Sequence, residues 1–173
     1  PKWRHDYFRD NELPSNLNTN KKSIPVILFV DTFNRYYEPD NVRSAIKVLR
    51  KAGYFPFIPT LENSSKVLCC GRTYLTNGLI NHAKKEVLNI LETYRPYLKN
   101  GISVVGLEPS CILSFRDEIP DIIKNKETNY LKNNTYTFEE LLSKHSEELK
   151  FKKLTKKVLL HGHCHQKAFD VVK

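Results

Sequence analysis

Four cysteines carry most of the chemistry written into this 173-residue chain. Cys69 and Cys70 adjoin and precede Gly71, Cys111 closes the run GLEPSC, and Cys164 sits inside HGHCHQK. Adjacent cysteines can bridge only through a strained small ring. No secretory leader opens the chain, so a disulfide framework is the poorer expectation and thiolate ligands or redox thiols the better one. Two neighbouring thiolates strain around one small tetrahedral ion, yet they readily face two metals of a cluster. Gly71 beside them permits unusual backbone angles, and Arg72 would offset thiolate charge. The plain alternative is two small buried hydrophobes, since free cysteine is among the most buried residue types.

Cys111 follows a β-prone stretch and starts a helix, where exposed N–H groups and the helix dipole favour a thiolate. Glu108, three positions earlier, can ligate, bond a ligand or cap the turn. HGHCHQK is the densest segment. Read as extended chain, it puts His161, His163 and His165 on one side and Cys164 on the other. Imidazole and thiolate both suit zinc or iron, so His163, His165 and Cys164 join the candidate metal ligands. The alternative for these histidines is hydrogen bonding at a strand end. The HxH spacing also raises a zinc hydrolase, but no HExxH accompanies it. His5, His82 and His145 are isolated and read as surface residues. Asp31, Asn34 and Arg35 can contact a ligand or orient the cysteine loops, with turn and N-cap chemistry as the plainer alternative. There is no P-loop, GxSxG or GxGxxG. No residue identifies itself as a proton-transferring base.

These residues need elements to position them. Ile24 to Val30 is a short continuous apolar run, the mark of a buried parallel strand. Asn41 to Ala52 reads as a helix with Val42, Ala45, Ile46, Val48 and Leu49 facing in, stopped by Gly53. Tyr54 to Ile58 is a second β-prone stretch. Gly78 to Tyr94 reads as a long amphipathic helix burying Leu79, Ala83, Val87, Leu88 and Leu91, with Pro96 and Gly101 punctuating its end. Ile102 to Leu107 is a third strand, followed by a helical region interrupted at Pro120. Residues 125–136 look like an exposed polar excursion. Thr137 with Glu140 forms a capping box for a helix over 138–149. Val158 to Leu160 opens a fourth strand. Residues 1–23 read as a linker outside the core, with Trp3, Tyr7 and Phe8 docking on something upstream.

Alternating strands and helices argue for an α/β fold: a Rossmann-like parallel sheet with flanking helices. Each cysteine segment follows an expected strand, so the cysteine loops fall at the carboxyl ends of strands, where open α/β sheets form their ligand crevice.

Composition bounds the rest. The chain is 40% hydrophobic and 27% charged, a normal globular balance that favours one domain. No run approaches the ~18 apolar residues of a membrane span. The net charge of +9 comes from scattered lysines rather than one basic face. A solvated surface is the expectation, ahead of an acidic partner or membrane surface, and nucleic acid has least support. The chain has no Met and begins at Pro1, so it reads as a piece of a longer protein.

LCCGRTYLTNGL, VVGLEPSC and LLHGHCHQKA, with FVDTFNRYYEP upstream, together resemble the cysteine-rich CCG domain. That family includes the cysteine-rich subunit of heterodisulfide reductase and iron–sulfur subunits of glycolate, lactate and glycerol-3-phosphate dehydrogenases. The wording is most similar to fused FAD/iron–sulfur proteins of the glycolate oxidase, D-lactate dehydrogenase and D-2-hydroxyglutarate dehydrogenase type. The resemblance covers about residues 24–168. Cys69, Cys70 and Gly71 match the CCG, Cys111 the last Cys of a CxxC, and Cys164 the opening Cys of a second copy. Thr32 and Glu108 stand where the pattern has further cysteines.

The resemblance implies 1–23 as a linker from a ferredoxin-like domain, 24–150 as a first CCG domain and 151–173 as the start of a second. It implies an iron–sulfur cluster, or another metal such as zinc, on the cysteines, with Asp31, Thr32, Arg72 and Glu108 beside it. FAD would lie in an upstream flavin domain that oxidises a D-2-hydroxy acid. This segment would relay electrons to a quinone, cytochrome or carrier protein. The setting implied is cytoplasmic or peripheral at the inner face of a membrane, without a transmembrane segment. A structural or docking module with zinc or no metal is the rival.

Overall fold

The computed structural model describes residues 2–17, 23–61, 66–144, 152 and 155–169. Four strands, β1 (Ile24–Phe29), β2 (Tyr54–Phe57), β3 (Ser103–Gly106) and β4 (Thr135–Thr137), form one sheet in the order β2-β1-β3-β4. Every pairing is parallel. The expected α/β fold is therefore the observed one. Strand β1 lies between β2 and β3, and side-chain alternation sends its residues to two cores. Ile27 and Phe29 join one, Val26, Leu28 and Val30 the other. A strand covered on both faces must be apolar throughout, which is why its sequence reads as an unbroken run.

The first core lies under α4 (Ile80–Leu98), α5 (Pro109–Leu113), α6 (Glu118–Ile122) and α7 (Lys126–Asn134). Val87, Ile90, Leu91 and Tyr94 of α4 pack there with Ile112, Phe115, Ile119 and Leu131. The second core lies under α2 (Pro39–Lys51) and α8 (Phe138–Ser143), through Val42, Ile46, Leu49 and Leu141. Between β1 and α2 sits a short helix, α1 (Thr32–Tyr36). Another, α3 (Arg72–Thr76), precedes α4, and α9 (Cys164–Ala168) is the last.

Several expectations are corrected. Residues 2–17 belong to the body of the fold: Phe8 and Leu13 are buried in the second core. Trp3 stacks on Tyr36, with ring centroids 4.6 Å apart, so this aromatic end docks on the chain itself. Residues 125–136 are not an exposed excursion but form α7 and the start of β4. Leu131 is fully buried, and Asn125 caps α7 by accepting the Thr128 N–H. Val158, Leu159 and Leu160 form no strand and stand exposed. Their run is apolar, but among the described residues no neighbouring strand offers it hydrogen bonds.

Val48, Leu79 and Leu88 are exposed on their helices rather than turned inward. Helix α4 runs through Pro96, which forgoes the bond an amide there would give the Glu92 carbonyl, and ends two residues later at Leu98. Pro120 does not interrupt a helix either. It is the third residue of α6, where its missing N–H would have lacked a helical partner anyway. The Thr137–Glu140 capping box is present. The expected helix continues to Ser143, and its part beyond residue 144 lies outside the described residues, as does His145.

Candidate metal centre

The chain leaves β1 toward β2 on one side and returns to β3 on the other side of β1. The β1–β3 boundary is therefore the switch point outside which open α/β sheets place ligands. Three segments supply the candidate residues: Asp31–Thr32 after β1, Cys69–Arg72 after β2, and Glu108–Cys111 after β3.

Backbone geometry sets up the CCG turn. Gly71 has φ +77°, the left-handed region that a side chain resists. A Cβ there would also lie 3.2 Å from backbone atoms of Ala83. The turn points two amides at sulfur: the Gly71 N–H donates to Cys69 Sγ and the Arg72 N–H to Cys70 Sγ, each at 3.5 Å. Across the edge, a second close approach brings in Cys111. A Cβ on Gly106 would meet the Ile112 side chain at 2.8 Å, so α5 rests directly on the end of β3.

The Cys70 thiol lies against its neighbour Cys69 and, within one shared core, against Cys111 from the other loop. Cys70 and Cys111 are buried, Cys69 half-buried, and none is in a disulfide. Contact with Cys70, then burial, pushes the Cys69 thiol well above its ordinary value. Contact with Cys111, then burial, pushes Cys70 up to about 12. Without a cation, both stay protonated at neutral pH. A bound metal would displace those protons, and the two N–H···S bonds already favour thiolates. The sulfurs form an open chain, Cys69 to Cys70 to Cys111. This donor set fits a thiophilic centre, and the open chain fits thiolates facing different metals better than three thiolates around one ion.

Glu108 and Asp31 are engaged differently. Glu108 caps α5: its Oε2 accepts the Ser110 N–H at 2.9 Å and the Cys111 N–H at 3.4 Å. Its Oε1 accepts the Ser110 hydroxyl at 2.9 Å. Asp31 caps α1, accepting the Asn34 N–H at 2.9 Å and the Asn34 side-chain amide at 2.7 Å. Burial raises the Asp31 carboxyl above its ordinary value, and nearby Glu108 adds to the rise. Thr32 is exposed at the start of α1.

Cys164 does not join the thiol trio. It is exposed at the first position of α9, and the preceding stretch is no strand, so the fourth cysteine does not sit at a strand end. The extended reading of HGHCHQK is likewise corrected to a helix capped by His163, whose Nδ1 accepts the His165 N–H at 3.2 Å. His161 is exposed, as are the isolated His5 and His82. Helix α9 packs on α5 and carries His165 to the site's flank. There Arg72 forms an ion pair with Glu118, and His165 Nε2 lies 3.7 Å from Glu118 Oε1. Burial, then the charge of Arg72, lowers the His165 pKa, so the ring is neutral at pH 7. Arg72 thus faces Glu118 with its guanidinium and Cys70 with its amide.

Sequence reasoning missed Asp117 and Glu118. With His165 they form the one group of three potential ligand atoms lying within 4.8 Å of one another among the described residues. Arg72 already balances one of these charges. No spacing in the sequence links Glu118 to His165; only the packing of α9 on α5 does.

No family model matches the chain, and no solved structure matches it. Curated proteins do. One of the subunits of anaerobic glycerol-3-phosphate dehydrogenase from Escherichia coli (strain K12) is 28% identical over 144 residues, covering 81% of this chain and 35% of that protein. D-2-hydroxyglutarate dehydrogenase of Haemophilus influenzae is 26% identical over 106 residues, 60% of this chain and 10% of that protein. Its Escherichia coli (strain K12) namesake is 26% identical over 103 residues, 59% and 9% of the two chains. The chain is thus a distant relative of dehydrogenase proteins and spans about a third of the first of them. Among the described residues no helix is long and apolar enough to cross a membrane.

Proposed function

We propose that this chain is an electron-relay domain of an FAD- and iron–sulfur-dependent dehydrogenase. Its substrate class would be a D-2-hydroxy acid such as glycolate, D-lactate or D-2-hydroxyglutarate. In this reading Cys69, Cys70 and Cys111 hold the metal or iron–sulfur centre. Residues 24–150 form a first CCG unit, and Cys164, with His163 and His165, opens a second. The observation that carries the proposal is the contact between Cys70 and Cys111 at the switch point of the sheet. The distant likeness to dehydrogenase proteins supports the redox class.

The cofactors carry the hard chemistry: FAD in an upstream domain would take the hydride, and the centre here would pass single electrons. This chain's own residues hold and shape the site. Gly71 fixes the turn, Glu108 orients α5 and its cysteine, and Gly71 and Arg72 direct N–H groups at sulfur. The partners are the flavin and ferredoxin-like domains and an electron acceptor such as a quinone, cytochrome or carrier protein.

Anaerobic purification followed by iron and sulfide analysis and a reductive titration tests this reading. Iron with sulfide and a reversible one-electron signal supports it. Zinc without any redox signal would overturn it.

A further inference from the structure

A second site lies away from the cysteines, between the segment before β1, helix α1 and the loop after β2. Arg35 is its anchor. The side chain is only 4% exposed, yet its guanidinium is not fully used. One terminal nitrogen donates to the Phe8 carbonyl at 3.2 Å and the other to Asp10 Oδ1 at 2.7 Å. Its Nε–H is buried and has no acceptor. Leaving a buried donor unsatisfied is costly, and an orphaned charged donor beside a cavity calls for an acceptor.

The cavity is there. Arg35 lines an open cavity of about 360 Å³ together with Tyr7, Phe8, Arg9, Tyr36 and Lys66. That size falls within the range of small-molecule sites. A smaller cleft of about 10 Å³, room for roughly one water, also borders Arg35 and shares Asp10, Thr60 and Lys66 with the cavity. Of the three cations that line it, Arg35 is held by Asp10 and Lys66 by Glu86, which leaves the lining one positive charge in excess. Arg9 rests 4.7 Å over the Tyr7 ring, and Lys66 reaches Glu86 at 2.7 Å. The lining is therefore cationic and aromatic, a surface suited to an anion with a small apolar body.

We propose that this cavity binds a small organic oxyanion, a carboxylate or a phosphate ester, that accepts from the buried guanidinium of Arg35. Arg9 and Lys66 supply charge at the rim, and Tyr7 and Tyr36 flank the body of the ligand. The site is independent of the metal reading, since none of its residues is a candidate ligand.

The test is nuclear magnetic resonance of the 15N-labelled full chain, observing arginine Nε–H signals and backbone amides. The probes are benzoate, inorganic phosphate and benzamide, the last as the uncharged counterpart of benzoate. Saturable shifts of the Arg35 Nε–H with an anion, absent with benzamide, support the proposal; tighter benzoate assigns a carboxylate and tighter phosphate a phosphate ester. The double variant Arg9→Gln, Lys66→Gln leaves Arg35 in place and, with circular dichroism checking that loss of the Lys66–Glu86 pair spares the fold, keeps the test open should Arg35→Lys fail to fold. It should weaken binding about tenfold, as expected for lost charge-assisted contacts. An Arg35 Nε–H that stays still with both anions to roughly 20 mM, a concentration far above a useful affinity, means that water alone fills the cleft and overturns the proposal. Equal shifts with benzamide, or unchanged affinity in the double variant, overturn it too.

Discussion

The Cys70 thiol contacts the Cys111 thiol although one belongs to the loop after β2 and the other to the first turn of α5. Two glycines make this meeting possible. Gly71 adopts the left-handed turn that presents the CCG, and Gly106 lets Ile112 settle onto β3, carrying Cys111 with it.

The Gly106 contact can be tested without touching sulfur. Gly106→Ala places a methyl against Ile112 in space already filled, and overpacking of that kind costs roughly 1–3 kcal/mol. Urea unfolding should show a lower midpoint with an unchanged slope. Adding Ile112→Val should return part of the loss, because the two residues share one contact. Additive losses would mean that α5 is seated by something else.

Leu131 and Leu159 form a second contrast. Leu131 of α7 is fully buried, whereas Leu159 is 98% exposed. Leu131→Ala should cost roughly 2–5 kcal/mol, the range for a buried leucine. Leu159→Ala should change stability by no more than about 0.5 kcal/mol. The ranking comes from chemical unfolding of the two variants, and its reversal would restore the polar-excursion view of residues 125–136.

That contrast shows where sequence reasoning stops. Strands β1, β2 and β3 were legible because sheet burial demands continuous apolar or aromatic residues. Strand β4 was not, since it is only three residues long and its buried residues are threonines, Thr135 bonding the Leu131 carbonyl and Thr137 capping α8. Val158–Leu160 misled for the opposite reason: it is apolar, but strand formation requires a partner. Phe8 gave a single apolar signal among charges, too little to mark a core residue. At the site, the CCG, Cys111 and the cap residues Asp31 and Glu108 could be picked out by type. The separation of Cys164 from the trio, and the approach of Glu118 to His165, depend on how helices pack.

The N-terminal segment should release in acid. Arg43 of α2 lowers the Glu12 carboxyl and adds to the drop that neighbouring Arg4 gives Asp6, which lies at about 2 against an ordinary value of 3.8. A depressed carboxylate pKa contributes stability that is present above the unfolded value and lost as pH falls through the folded one. The segment should therefore loosen between about pH 4 and pH 2. Trp3, the single tryptophan, stacks on Tyr36 and reports the event by fluorescence. Arg43→Gln should flatten the change in this range, and a profile identical to the parent's would show that these pairs do not hold the segment.

Glu108 should behave as a cap rather than a ligand. Its oxygens accept from Ser110 and Cys111, so Glu108→Ala should cost about 1 kcal/mol, typical of a lost N-cap. Glu108→Gln keeps an acceptor and should bind as much metal as the parent chain. Loss of metal in Glu108→Gln, with the fold intact by circular dichroism, would make it a ligand.

The most direct measurement is anaerobic reconstitution with iron and sulfide, followed by metal and sulfide analysis and visible absorption, on the parent chain and three variants. The account predicts bound iron and sulfide with thiolate-to-iron absorption in the parent. It predicts loss of both in Cys70→Ser and Cys111→Ser, and retention in Cys164→Ser. A parent chain that takes up no metal, or Cys70→Ser and Cys111→Ser variants that bind as the parent does, would contradict it.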